Sequence, residues 1–227
     1  MGIYLIFGFF MLLSWLVSSQ LKSKFRKFST VPLAGGYSGK DVAEKMLADH
    51  GLTHVKVFSV EGQLTDHYDP TKKTVNLSQE VFYGRHVAAA AVAAHECGHA
   101  EQHAKSYAWL NMRSTLVPVV SISSRYLQWV LLAGIVLINI STIPLLVGII
   151  LFGLTTLFSL ITLPVEFDAS SRGLKWLEST GITGRAEASM ASEALRWAAL
   201  TYVVAALSSL ATLMYYVMMF LGANKRE

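Results

Sequence analysis

Four long apolar blocks constrain the fold of this chain more than any other feature of its sequence. Each is close to or within the roughly 17–25 residues that a helix needs to cross a bilayer. Charged residues make up 15% of the chain, whereas a soluble domain carries about 25%. The sequence therefore predicts a mainly α-helical membrane protein with about four transmembrane helices. We place the spans at residues 1–20, 126–164 (a hairpin of two spans) and 197–222.

The positive charges predict how these helices are oriented. No positive charge lies before the first block, and a cluster follows it directly: Lys22, Lys24, Arg26 and Lys27. A cleavable signal peptide has the opposite arrangement, so we interpret residues 1–20 as a retained anchor with its N-terminus outside. Residues 21–125 and 165–196 would then lie in the cytoplasm. The net charge of +4 reflects this clustering, and we expect no nucleic-acid partner.

The polar segment after the first span has the patterns of a small α+β domain. Ser38 followed by Asp41 is typical of a capped helix start, and we expect this helix to end near Gly51. Residues 55–60 and 73–77 alternate between apolar and polar side chains, which indicates two half-buried strands. The segment therefore predicts a helix and a short sheet.

The alanine-rich stretch that follows predicts one long helix, from about Val81 to about Leu110. The strand residues before it, Val75, Asn76 and Leu77, would suit an edge strand along which an extended peptide substrate pairs. A sheet that simply covers the helix is an equally good interpretation of the same pattern.

The alanine-rich helix contains an H-E-x-x-H motif, which reads His95-Glu96-Cys97-Gly98-His99. Four residues make a little over one helical turn, so both imidazoles leave one face about 6 Å apart along the axis. At this spacing two imidazole nitrogens can bind the same Zn²⁺, with Glu96 beside them to act on a water molecule. Two hydrogen-bonded histidines on a packed helix are the alternative interpretation.

The other histidines do not have the spacing of a third ligand. Metzincins place a glycine and a histidine three and six residues after the second histidine, and here Gln102 and Lys105 occupy those positions. His103 shares the face of the motif but lies another 6 Å or so along the axis, which suits an outer contact or the surface. We expect no metal role for the remaining four, His50, His54, His67 and His86.

Glu166 is the best candidate for the third ligand. It follows the third apolar block, which the predicted topology returns to the side of His95. A carboxylate at the edge of a hydrophobic hairpin is costly unless it is paired or binds a cation. Pairing with Arg172 or Lys175 is the alternative, and the nearby histidine pair favours the ligand interpretation.

Two further residues, Asp168 and Arg172, are candidates for roles near the metal, whereas Cys97 is not. Asp168 either accepts the second N–H of a ligating histidine or pairs with Arg172, four residues further on. Arg172 is also a candidate to polarise the carbonyl of the bond that is cut. The helical phase of Cys97 points away from both histidines, so we interpret it as a core residue.

These motifs resemble the YugP-like family of membrane zinc metallopeptidases, and the resemblance covers most of the chain. The matching segments are residues 68–70, 75–78, 95–99, 164–170, 177–182 and 198–203. The general plan is also similar to HtpX-type membrane proteases, which are gluzincins whose third ligand is a glutamate after a hairpin of two spans. In these relatives that glutamate opens a Glu-x-x-x-Asp motif. Here Ser170 occupies the aspartate position, and Asp168 lies two residues earlier.

The sequence and the resemblance together predict a zinc-dependent membrane endopeptidase with a small zincin-like domain of the gluzincin type. His95, His99 and Glu166 would hold one Zn²⁺ per chain, and Glu96 would be the general base. The substrates would be peptides or membrane proteins, met at the cytoplasmic face of a bacterial plasma membrane. A zinc-binding scaffold or chaperone without catalysis is one alternative, although it has no need of Glu96. A small ion transporter is the other, although the motif lies outside every apolar block.

Overall fold

The computed structural model describes residues 2–224, so Met1, the first residue of the predicted anchor, lies outside it. The elements in chain order are α1 (Gly2–Phe28), α2 (Gly39–Asp49), β1 (Lys56–Val60), β2 (His67–Asp69), β3 (Thr74–Ser78), α3 (Gln79–Tyr83), α4 (Val87–Ala104), α5 (Ala108–Val136), α6 (Ile143–Ser179) and α7 (Arg185–Asn224). Four of these helices, α1, α5, α6 and α7, are long and apolar enough to cross a membrane. The prediction of a mainly helical membrane protein with a short sheet is confirmed.

The chain divides into two compact units. The helical unit consists of Met1–Leu16, Asn111–Leu163 and Thr201–Glu227, and the mixed unit consists of Val17–Leu110 and Pro164–Leu200. The predicted hairpin starts at residue 126, but α5 runs without a break from Ala108, so its helix begins well before that position. The next helix, α6, likewise continues through Pro164.

Small residues allow close packing inside the helical unit. A Cβ added to Gly134 on α5 would lie 2.6 Å from the backbone of Leu145 on α6, and one added to Gly148 would lie 2.6 Å from Leu131. Thr156 on α6 also forms a 2.7 Å hydrogen bond with Ser209 on α7. Small residues and hydroxyl pairs of this kind hold helices together where lipid gives no hydrophobic driving force between them.

The mixed unit begins with the capped helix that the sequence predicts. The Ser38 hydroxyl accepts a hydrogen bond from the backbone N–H of Asp41, and the Asp41 carboxylate accepts one from the backbone N–H of Ser38. The hydrogen bonds from Ser38 lower the pKa of Asp41. The helix ends at Asp49, and Gly51 follows with a φ of +72°, a conformation that glycine adopts without strain.

The sheet has three strands in the order β1-β3-β2, with β1 parallel and β2 antiparallel to β3. The prediction that Val75, Asn76 and Leu77 form an edge for a peptide is wrong, because β3 is the central strand. Its backbone groups are used by β1 along its whole length and by β2 over the first part. Beyond β2, the Asp66 carboxylate accepts the N–H of Ser78 at 2.7 Å. The sequence did not indicate β2, since three residues are too few for a visible alternation.

The predicted helix from Val81 to Leu110 is interrupted twice. The first break is at Gly84, where a Cβ would lie 2.4 Å from the carbonyl oxygen of Glu80, and His86 then caps α4 by accepting the N–H of Ala89. The second break follows α4, where Ser106 has a φ of +51°. Both breaks lie inside a region whose overall composition favours a helix. Between them, α4 is buried along most of its length in the core of the mixed unit.

Candidate metal centre

His95, His99 and Glu166 lie together in the mixed unit and form one candidate metal site. Their potential ligand atoms all lie within 4.8 Å of one another. The Glu166 Oε2 atom is 3.4 Å from the Nε2 atom of His95 and 3.7 Å from that of His99. Ligands that bind zinc tetrahedrally at about 2.0–2.2 Å lie about 3.4 Å apart. The arrangement therefore fits a zinc ion, and two histidines with one glutamate are a known catalytic donor set.

The helices that carry these three residues, α4 and α6, approach each other so closely that only glycine fits at the points of contact. A Cβ on Gly98 of α4 would lie 2.4 Å from the carbonyl oxygen of Ala169 on α6. In the opposite direction, a Cβ on Gly173 of α6 would lie 2.8 Å from the carbonyl group of Ala94 on α4. This close contact brings Glu166 to the histidine pair. The role of Gly98 was not evident from the sequence, although this glycine lies inside the motif.

Replacing Gly98 with alanine should therefore destabilise the protein and weaken zinc binding. The new methyl group overlaps backbone atoms rather than the end of a flexible side chain, so the helices must separate. Overpacking of this kind lowers the free energy of unfolding by about 1–3 kcal/mol. Thermal unfolding in detergent and zinc content measure the two effects. Gly153→Ala on α6 is the matched control, because a Cβ there meets nothing within 4 Å. If Gly98→Ala matches Gly153→Ala in both measurements, the close crossing is not required.

Ser170 contacts the first histidine of the candidate site, His95. Its hydroxyl oxygen lies 3.0 Å from the Nδ1 atom of His95, so the Nε2 atom of this histidine faces the site. Outer contacts of this kind orient a ligating imidazole. Ser170, which stands where the resemblance led us to expect an aspartate, thus contacts the first histidine of the candidate site.

Gln102 contacts the second histidine of the candidate site, His99. Its side-chain oxygen accepts a hydrogen bond at 3.0 Å from the Nδ1 atom of His99. Its amide nitrogen donates to the carbonyl oxygen of Val165 and to the carboxylate of Asp168, both at 2.8 Å. In the sequence, Gln102 distinguishes the motif from that of metzincins, and its three-residue spacing from His99 is the signal that could have indicated this contact.

Asp168 pairs with Arg172, which decides between its two predicted roles. The Arg172 Nε atom donates to Asp168 at 2.5 Å, and its Nη1 atom donates to Glu101 at 3.0 Å. Asp168 reaches His99 only through Gln102. Two carboxylates thus hold the guanidinium of Arg172, and this arrangement does not favour the predicted role in polarising a substrate carbonyl.

Acidic side chains surround the histidines. Burial disfavours the charged form of the His99 imidazole, but the contact with Glu166 and the charge of Glu96 outweigh it and raise its pKa. A negative environment that favours a proton on this ring also favours a metal cation. Glu96 itself is buried, with 7% of its surface exposed. Asp66 is a further acid that the sequence did not indicate, and burial together with the charge of Glu96 raises its pKa, against the hydrogen bonds from Ser78.

The prediction that Cys97 is a core residue is confirmed. Its side chain is 1% exposed, and its sulfur donates a weak hydrogen bond to the carbonyl oxygen of Ala43. Burial strongly raises the pKa of the thiol. Cys97 is therefore a neutral thiol inside the core, unsuited to be a ligand or a nucleophile.

The other histidines make local contacts away from the three ligand atoms. The Nδ1 atom of His103 lies 2.8 Å from the hydroxyl group of Tyr68, and His50 contacts the Met46 carbonyl oxygen. Within residues 2–224, no second group of histidine, cysteine and acidic side chains has a metal-binding arrangement.

Comparison with known proteins assigns the chain to a family. Residues 3–221 match the family model described as "Putative neutral zinc metallopeptidase". The chain belongs to this family. It is also 45% identical over 212 residues to the "Putative membrane protease YugP" of Bacillus subtilis (strain 168), a match that covers 93% of each chain. No solved structure matches it. The resemblance seen in the sequence is confirmed, and it supports a protease-like membrane protein.

Proposed function

We propose that this protein is a zinc-dependent endopeptidase of the gluzincin type. The observation that carries the proposal is the convergence of His95, His99 and Glu166, with Glu96 next to the first histidine. This donor set leaves room in a tetrahedral site for a water molecule or a substrate oxygen, as catalytic zinc sites do. A purely structural site is usually closed by four protein ligands.

The chain's own residues would divide the reaction as follows. His95, His99 and Glu166 would hold one Zn²⁺, and Ser170 and Gln102 would orient the two imidazoles. The ion, when bound, supplies Lewis acidity that activates water and polarises the peptide carbonyl. The Glu96 carboxylate takes the proton of the attacking water and then gives it to the amine nitrogen as the C–N bond breaks. Every proton taken up by Glu96 thus leaves with the amine product.

The proposed location is the plasma membrane of a bacterium, with the active site facing the cytoplasm. The cluster of lysines and arginines that directly follows the apolar part of α1 supports this orientation. We propose that residues 21–125 and 165–196 supply the cytoplasmic catalytic part. Peptide segments of membrane or membrane-associated proteins are the substrates that such a site would meet.

Removal of the metal tests this proposal. The purified protein in detergent should contain one zinc per chain, and it should cleave casein or a membrane-protein substrate. A strong chelator should remove both the zinc and the activity, and added Zn²⁺ should restore them. Zinc content by mass spectrometry and product formation by gel measure the two quantities. Zinc binding without any cleavage would favour a silent scaffold, and cleavage that survives complete removal of zinc would refute a metallopeptidase.

A further inference from the structure

Gln102 is a polar side chain with no exposed surface. Burial of an amide group is costly unless its donors and acceptor are all used. Here the oxygen contacts His99, and the nitrogen contacts Val165 and Asp168, at distances of 2.8–3.0 Å. Both amide N–H donors and the amide oxygen of this side chain therefore have partners inside the mixed unit.

The partners of Gln102 determine which way its amide group points. The Val165 carbonyl oxygen can only accept, and so can the carboxylate of Asp168, which Arg172 keeps ionised through its Nε donor at 2.5 Å. Both partners require the amide NH₂ group. The amide oxygen must then face the third partner, which is the imidazole of His99.

This orientation fixes the proton on His99. An amide oxygen only accepts, so the Nδ1 atom of His99 must carry the hydrogen. The Nε2 atom then has a free lone pair, and it is this atom that lies 3.7 Å from the Glu166 carboxylate. A neutral imidazole in the other tautomer would present an N–H group to the metal and could not bind it.

The contact between His95 and Ser170 does not fix the position of a proton in this way. A serine hydroxyl rotates and can either donate or accept, so Ser170 permits both tautomers of His95. The asymmetry assigns a distinct role to Gln102. We propose that Gln102 is a positioning residue, which sets the tautomer of His99 for metal binding and connects this ligand to the ion pair of Asp168 with Arg172. The proposal rests on the proposed function only in taking the bound ion to be zinc.

Gln102→Met is the variant that tests this role, because it keeps the length of the side chain and removes all three hydrogen bonds. The full-length protein in detergent is titrated with Zn²⁺ against a chromophoric chelator. Loss of an outer partner raises the dissociation constant for zinc by about 10–100-fold, and we expect a change in this range. Gln79→Met, at an exposed glutamine at the start of α3, should bind zinc like the wild type. Equal zinc affinity in Gln102→Met and Gln79→Met would overturn the proposal.

A second measurement reads the tautomer itself and needs neither zinc nor activity. Ring-¹⁵N-labelled histidine in the zinc-free wild type should show the Nδ1 atom of His99 protonated, at a pH where the ring is neutral. The His99→Gln spectrum identifies the signal. An unprotonated Nδ1 atom in the wild type would overturn the proposal even if Gln102→Met failed to fold. A wild type that shows the expected tautomer but binds no zinc would refute the proposed metallopeptidase and leave the role of Gln102 intact.

Discussion

Replacing Glu96 with glutamine is expected to lower the rate of peptide hydrolysis by about 10²–10⁴-fold, the usual contribution of a general base. Glutamine has nearly the same shape but cannot take the proton of the attacking water. Glu96 is not one of the three residues whose ligand atoms converge, so the bound zinc should remain. The loss should therefore appear in kcat, with the metal content unchanged.

Glu178→Gln is the control variant that isolates the effect of the Glu96 carboxylate. Glu178 is an exposed glutamate on α6 in the same unit, and its replacement removes the same charge without touching the site. Cleavage of casein and zinc content are measured for both variants and for the wild type. Wild-type cleavage by Glu96→Gln would show that the reaction does not depend on this carboxylate.

Replacing Glu166 with alanine should remove most of the bound zinc together with the activity. Glu166 is 3% exposed, and its carboxylate lies 3.4 Å from His95 and 3.7 Å from His99. Loss of an outer partner already weakens metal binding by about 10–100-fold, and loss of a direct ligand should exceed that. The measurement is the zinc content after dialysis against a buffered zinc concentration, with Glu178→Ala as the charge-matched control.

A folding defect must be separated from a loss of the ligand in this variant. Thermal unfolding of the zinc-free forms gives that separation, because it compares the wild type and Glu166→Ala without the contribution of the metal. Full zinc occupancy in a folded Glu166→Ala protein would mean that another residue is the third ligand.

The parts of the fold that depend on repeated patterns could be predicted from the sequence. Sustained hydrophobicity indicated the helices that can span a membrane, and the capping pair of Ser38 and Asp41 indicated the start of α2. The selection of Glu166 as a candidate ligand followed from the predicted topology, because the predicted hairpin returns the chain to the side of the motif. In each case the prediction depended either on many residues together or on a fixed spacing between neighbouring residues.

The parts that depend on single long-range contacts could not be predicted. The central position of β3 is set by β2, which has only three residues. The environment of Gln102 depends on Val165 and Asp168, more than sixty positions further along the chain. Nothing local in the sequence distinguishes such a glutamine from one on the surface.

The close crossing at Gly98 limits which residues this chain can accept between the two histidines of its motif. The two middle letters of H-E-x-x-H are normally treated as free, yet here Cys97 fills the core and Gly98 contacts the backbone of Ala169. Few mutations at either position are compatible with an intact site, so neutral drift should be slow there. A bulkier residue directly before the second histidine would force the two helices of this chain apart.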